Sequence, residues 1–258
     1  ATGNPKIRGG FGPLLDGFLH VPANDLSAIN ALGDALADVV AVLVEPIQGE
    51  GGVRPLDRHY LQGLRDLCEQ NQWLLMFDEV QTGNGRCGST YVCEQLEIEP
   101  DVLLTAKGLG NGLPIGVCMA RGEAAQLLGP GDHGSTYGGN PLCCAAAIAV
   151  LTTLFEDNVM QRATTVRDAL LSALHQQLRD PGLITEVRGR GLMIGIQPSV
   201  ATKEVVQRGL DRGLLINIAG GDTIRVLPPL VMTDEQAGEL GAGIANIIND
   251  IAEQENAL

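Results

Sequence analysis

Three short apolar runs, each closed by charge, set the strongest limit on how this chain can fold: "VVAVLVEP" (39–46), "WLLMFDEV" (73–80) and "DVLLTAK" (101–107). Each has the length and β-branched or aromatic content of a strand buried on both faces. Between the first two, "DRHYLQGLRDLCEQN" (57–71) repeats Tyr60, Leu61, Leu64, Leu67 and Cys68 at helical spacing. Strand, helix, strand in this rhythm predicts βαβ units and a mostly parallel sheet, which "LPIGVCMA" (113–120) continues. "ANDLSAINALGDAL" predicts a helix behind an Asn/Asp cap, and residues 141–179 predict two successive helices broken at "FEDN".

Farther on the pattern changes. "VRGRGLMIGIQP", "GLLINIAG" and "TIRVLPPL" are short strands between turns, with a helix at 203–212. A last helix opens on T-D-E-Q, a capping box with Thr233 as N-cap and Gln236 at N3. The reading is an α/β chain with a mostly parallel mixed sheet and flanking helices over 1–156. A small C-terminal α+β domain follows over 157–258.

The 258 residues suffice for such a core. A formal charge of −14 argues against nucleic acid and acidic membranes as partners. No apolar run reaches the roughly 18 residues of a membrane span. The six cysteines form no CxxC, and no His-x-His or HExxH accompanies them. Neither a metal site nor a disulfide framework is expected, and a reducing compartment, by default the cytoplasm, is. The opening "ATGNPKIRGG" has no initiator Met, charged n-region or apolar h-region, so it reads as the interior of a longer polypeptide rather than a signal peptide.

Chemistry-bearing residues gather at strand ends and in loops, where open α/β sheets bind ligands. Asp78-Glu79-Val80-Gln81 ends one strand, and a carboxylate there would pair with a cationic heterocycle or, equally, cap a helix. Gly83-Asn84-Gly85-Arg86-Cys87-Gly88 matches G-x-G-x-x-G, but the residues after Gly88 make a poor helix start, which weakens a dinucleotide-binding reading. Lys107 is one of three lysines, with Lys6 and Lys203. It precedes Gly108, Gly110 and Gly112, the reverse of the Walker order. A desolvated amine there could attack a carbonyl, whereas a lone lysine at a sheet edge more simply snorkels to water. "HGSTYGGNP" (133–141) suits an oxyanion or is a polar turn.

Together "VEPIQGEGGV", "FDEVQTGNGRCG", "TAKGLGNGLPIG", "HGSTYGGNPL" and "IRVLPPL" resemble, in order and approximate spacing, the class III aminotransferases, pyridoxal-phosphate enzymes of fold type I. The closest likeness is to acetylornithine and succinylornithine aminotransferases. The resemblance implies pyridoxal 5'-phosphate as cofactor and a homodimer with shared active sites. It also implies transamination of N2-acetylornithine or N2-succinylornithine with 2-oxoglutarate in arginine metabolism. Ornithine and 4-aminobutyrate are the alternative donors, and a non-catalytic fragment is the alternative from another class.

By the same resemblance Lys107 is the Schiff-base and proton-transfer lysine, and Asp78 the partner of the pyridine nitrogen. Glu79, Val80 and Gln81 lie with Asp78 in the cofactor segment, Val80 on a ring face and Gln81 at the ring hydroxyl. Thr136 is a phosphate ligand given across the dimer interface, and Ser135 a substrate contact. Arg225 grips the substrate α-carboxylate, and Glu50 is the acid that covers an active-site arginine and releases it to the dicarboxylic substrate. The family's phosphate-cradling loop, stacked aromatic residue and acyl-side arginine precede the matched region. The resemblance therefore implies an incomplete major domain that holds cofactor weakly by itself.

Overall fold

A computed structural model describes residues 2–36 and 38–257, leaving Ala1, Ala37 and Leu258 outside. One helical turn, α1 (Pro5–Arg8), precedes α2 (Leu26–Ala35), which starts where Asp25 accepts the Ala28 N–H. Strand β1 (Ala41–Val44) leads through a two-residue hairpin pair, β2 (Ile47–Gln48) and β3 (Arg54–Pro55), into α3 (Arg58–Asn71). Then come β4 (Leu74–Asp78), the short α4 (Val92–Leu96), β5 (Val102–Thr105) and β6 (Val117–Ala120).

These strands form one sheet in the order β1-β4-β5-β6, with the first three parallel and β6 antiparallel. Parallel pairing puts the carboxyl ends of β1, β4 and β5 on one edge, with Asp78 opposite Leu104. All five apolar residues predicted for α3 are buried. They pack against Leu75 and Phe77 of β4. Arg65, on the same helix, is buried too and is held by Asp101 at 2.8 Å.

The expected burial on both faces holds for the inner strand β4 and not for β1, and β6 is exposed as well. Leu43 of β1 is 47 % exposed, and Val117 and Met119 of β6 are also exposed. Both are outer strands with a neighbour on one side, so an apolar run in sequence overstates burial within this chain.

The second half has its own core. Helices α5 (Pro141–Glu156) and α6 (Arg162–Gln177) are followed by β7 (Ile184–Arg190), β8 (Met193–Pro198), α7 (Val205–Asp211), β9 (Asn217–Ala219), β10 (Thr223–Val226) and α8 (Asp234–Asn256). The strands make an antiparallel sheet in the order β7-β8-β10-β9. Leu170 and Leu174 of α6 and Ile244, Ile247 and Ile248 of α8 bury against Ile194, Ile196 and Ile224 of that sheet. Thr233 and Gln236 form the capping box at the start of α8. Among the described residues no helix is long and apolar enough to cross a membrane.

Helices α6 and α8 meet at Gly241, where a Cβ would lie 2.1 Å from the Leu170 carbonyl oxygen. Alanine gains about 1 kcal/mol of helix propensity over glycine. The obstacle here is backbone, so overpacking decides the sign. Gly241→Ala is predicted to lower stability by about 1–3 kcal/mol in urea melts; a stabilised variant would show that the helices can part freely.

Candidate functional site

The site grows from the carboxyl ends of β1, β4 and β5. Beyond β1 the chain runs through Glu45 to a tight loop, Gly49–Val53. Glu45 is half-buried and accepts the Gly49 N–H at 3.1 Å. Burial pushes its carboxyl above the usual glutamate range. The nearby charges of Asp78 and Glu50 push the same way, and the Gly49 N–H and the Lys107 ammonium oppose.

Asp78 ends β4, with Oδ1 accepting the Val80 N–H at 3.0 Å. Among the described residues Oδ2 has no hydrogen-bond partner. Glu79 is different. It is fully buried and accepts from Thr82 Oγ1 (2.8 Å), the Val92 N–H (2.7 Å) and the Cys93 N–H (2.8 Å). Its carboxylate thus holds the first turn of α4 and, unlike its neighbour Val80, is not part of the cleft lining. Strand alternation is the reason: adjacent residues leave a strand end in opposite directions.

Lys107 opens a short 3-10 turn after β5 with φ +44, a left-handed conformation that a lysine adopts only when held there. The strain sits on the lysine, not on Gly108 or Gly110 behind it. Asn84 does the holding: its Nδ2 donates to Thr105 Oγ1 (2.8 Å) and to the Ala106 carbonyl (3.0 Å), the peptide just before Lys107. A carbonyl only accepts, so the amide orientation is fixed and Asn84 Oδ1 is left buried without a partner. Lys107 is exposed in this chain and, among the described residues, its ammonium makes no hydrogen bond or ion pair.

The G-x-G-x-x-G segment serves packing. A Cβ on Gly83 would meet the Glu79 carbonyl at 2.8 Å, and one on Gly85 would meet Leu154 at 2.9 Å. Arg86 donates to the Leu192 and Pro228 carbonyls, which ties this turn to the second half of the chain.

From that half comes Arg225, on β10 and only 8 % exposed. Its Nη1 reaches Glu50 Oε1 at 2.6 Å and Gln81 Oε1 at 3.3 Å. Asn217 lies opposite it on β9; with its amide assigned in the orientation that satisfies both atoms, it accepts from Nη2 at 2.8 Å and donates to the Arg225 carbonyl. The hydrogen bond from Arg225 holds the Glu50 carboxyl below the usual range. The two partners are unequal, since the Glu50 side chain is 67 % exposed.

Glu50, Val80, Gln81, Lys107 and Arg225 line one open cleft of about 880 Å³, walled by Val150 and Leu154 of α5 and by Leu230. That volume suits a cofactor-sized ligand. Asp78 is joined to this lining through the Val80 N–H that its Oδ1 accepts. Ser135 and Thr136 are not brought in; their loop is exposed and lines no part of this cleft. Sequence reasoning missed Glu45 and Asn84. Glu45 carries the same signal as Asp78, an acid closing an apolar strand, whereas the role of Asn84 depends on a contact with a loop 22 residues away.

A sheet whose strand ends carry Asp78 and Lys107, facing an arginine from a separate antiparallel layer, defines the class. The chain belongs to the class III aminotransferases: residues 1–248 match the family described as Aminotransferase class-III. Acetylornithine aminotransferase 1 of Bordetella pertussis is 44 % identical over 255 residues, which are 99 % of this chain and 65 % of that protein. A structure of the ornithine aminotransferase of Toxoplasma gondii, described as showing partial occupancy of PLP at the active site, superposes with a TM-score of 0.88. It is 35 % identical and covers 97 % of this chain and 60 % of its own. The acetylornithine aminotransferase of Elizabethkingia anophelis gives 0.82 at 34 % identity, covering 92 % and 63 %. The chain thus spans about 65 % of the length of the curated relatives it matches.

The raised carboxyl of Glu45 gives a signed test. Because its ionised form is disfavoured in the fold, the cost is absent below the ordinary glutamate range. It grows as pH rises through that range to the raised value, and persists above. Glu45→Gln keeps an oxygen for the Gly49 N–H. It should match the parent chain in urea melts near pH 4 and be the more stable of the two near pH 8. A difference that does not change with pH would contradict this environment.

Proposed function

We propose that this chain carries the lysine and carboxylate-exchange machinery of a pyridoxal-phosphate transaminase. Its donor is N2-acetylornithine or N2-succinylornithine, its acceptor 2-oxoglutarate, and its products a semialdehyde and glutamate. One observation carries the reading: an exposed, easily hydrated Glu50 covers a buried Arg225 on the wall of the cleft that holds Lys107.

The residues present fit the ring and aldehyde ends of that cofactor. Among the described residues Asp78 has an unpartnered oxygen for a protonated ring nitrogen, and Lys107 an amine free of ion pairs. Val80 and Gln81 line the space between. When bound, the cofactor would supply a carbonyl carbon for the amino group and an electron sink for the pair left at the amine-bearing carbon of the substrate.

The protein does the rest. The Lys107 amine would move the proton at the substrate carbon that bears the reacting amine, Cδ in an N2-acylated ornithine and Cα in glutamate. Asp78 keeps the ring-nitrogen proton in place. Arg225 binds the α-carboxylate of glutamate in a two-point grip once Glu50 turns to solvent. With a donor whose reacting amine is remote from its carboxylate, Glu50 turns back and neutralises Arg225. One pocket then serves both substrates by exchanging ion-pair partners.

Two further features support finer points. The exposed Ser135–Thr136 loop, turned away from its own cleft, suits a role in the site of a second copy, and so a homodimer. The six free cysteines suit a reducing, cytoplasmic setting. The acetylornithine names among the relatives favour an acylated donor over ornithine or 4-aminobutyrate.

Purified protein incubated with excess pyridoxal phosphate, reduced with borohydride and digested should carry the pyridoxyl label on Lys107 and not on Lys6 or Lys203. In Lys107→Ala the visible absorbance of lysine-bound cofactor should vanish. Labelling spread over all three lysines would sink the proposal. Half-reactions with acetylornithine, succinylornithine, ornithine and 4-aminobutyrate then rank the donors. Arg225→Ala should slow the glutamate half-reaction by at least tenfold, about the loss of one charge-assisted contact.

A further inference from the structure

The loop that carries Glu50 is fastened at three points, none of them the side chain that reaches Arg225. The Glu50 carbonyl accepts the Gly220 N–H at 3.0 Å. The Gly52 carbonyl accepts Nε of Arg188 at 2.9 Å. Val53, wholly buried with φ +51, plugs a socket made by two absent side chains. A Cβ on Gly195 would lie 2.9 Å from the Val53 Cβ, and one on Gly189 3.0 Å from its Cγ1. A β-branched residue avoids that backbone conformation unless its surroundings impose it.

Arg188 is the hub of this fastening. It lies on β7, buried, with every nitrogen engaged. Besides Gly52 it donates through Nη2 to Thr223 Oγ1 (2.6 Å) and through Nη1 to Gln197 Oε1 (2.7 Å) and Glu186 Oε2 (2.6 Å). Thr223 stands two residues before Arg225 on β10, and so on the same face of the strand. One planar guanidinium therefore bridges the loop of Glu50 and the strand of Arg225, and sets the spacing between their backbones.

We propose that Arg188 is a positioning residue for carboxylate exchange at Arg225: it locks the Gly49–Val53 loop so that Glu50 leaves and returns by side-chain rotation over a fixed backbone. The proposal rests on the reading of Arg225 as the carboxylate site. With the loop locked, closing the Glu50–Arg225 pair orders only one side chain. With the clasp loosened, closing it must order backbone as well, which is the larger entropic cost. Glu50 then competes less well with an incoming carboxylate.

Glutarate titrated calorimetrically into cofactor-free protein tests this in a cycle of parent, Arg188→Lys, Glu50→Gln and the double variant. Lysine keeps the charge and loses the fork. Arg188→Lys should tighten glutarate about fivefold, and should change nothing when added to Glu50→Gln. No tightening, or the same tightening in the Glu50→Gln background, would overturn the proposal. Should circular dichroism show Arg188→Lys unfolded, Thr223→Val removes the bridging hydroxyl at nearly constant size, and the same two outcomes decide. Arg225→Met separates the two claims. If it leaves glutarate binding intact, the carboxylate reading itself fails. If it abolishes binding while the Arg188 cycle shows no coupling, only the positioning role fails.

Discussion

A buried guanidinium cannot be left without an anion, and Arg225 is the one around which this site is arranged. Removing one partner of a buried ion pair costs several kcal/mol, because the remaining charge is cut off from water. Gln81 and Asn217 offer Arg225 neutral acceptors, and Glu50 offers the charge. The asymmetry would give the proposed exchange its direction: Glu50 can step into water at little cost, whereas Arg225 must be met by another carboxylate. A pair buried on both sides would be a structural bolt, and a pair exposed on both sides would be worth too little to discriminate.

The scaffold presents this pair to the cleft of Lys107 by joining two differently built layers. The parallel sheet delivers Asp78, Lys107 and the Glu50 loop to one edge, because its three parallel strands end there. The antiparallel sheet delivers Arg225 and the clasp of Arg188. Strain collects at the same place: Lys107 and Val53 both have positive φ, the first held through Asn84 and Ala106, the second by its glycine socket. Such conformations persist only where surrounding contacts over-determine them. Here they fix the backbone that carries Lys107 and the backbone beside Glu50, the two positions that the proposed function needs held constant.

Much of the fold was legible because it follows local rules. The buried face of α3, the Thr233–Gln236 box and the strand-helix-strand rhythm needed nothing beyond periodicity and capping. The coverage of β1 and β6 was not legible, because apolar content does not say which neighbour lies beside an outer strand. At the site, Asp78 and Lys107 stood out as charges closing apolar strands, although only resemblance turned them into roles. The engagement of Glu79 with α4 had a signal in plain view, since alternation sends it away from its neighbour Val80. Arg188 had no local signal: its partner Gly52 is 136 residues distant, and a buried arginine looks in sequence like any other.

A crystal structure of the protein with glutarate tests the central claim most directly. The account predicts a carboxylate bound at two points on Arg225, with the Glu50 side chain turned to solvent. The Gly220–Glu50 and Arg188–Gly52 hydrogen bonds should remain in place. Glutarate bound elsewhere with the Glu50–Arg225 pair intact would contradict it, as would a Gly49–Val53 loop displaced as a whole.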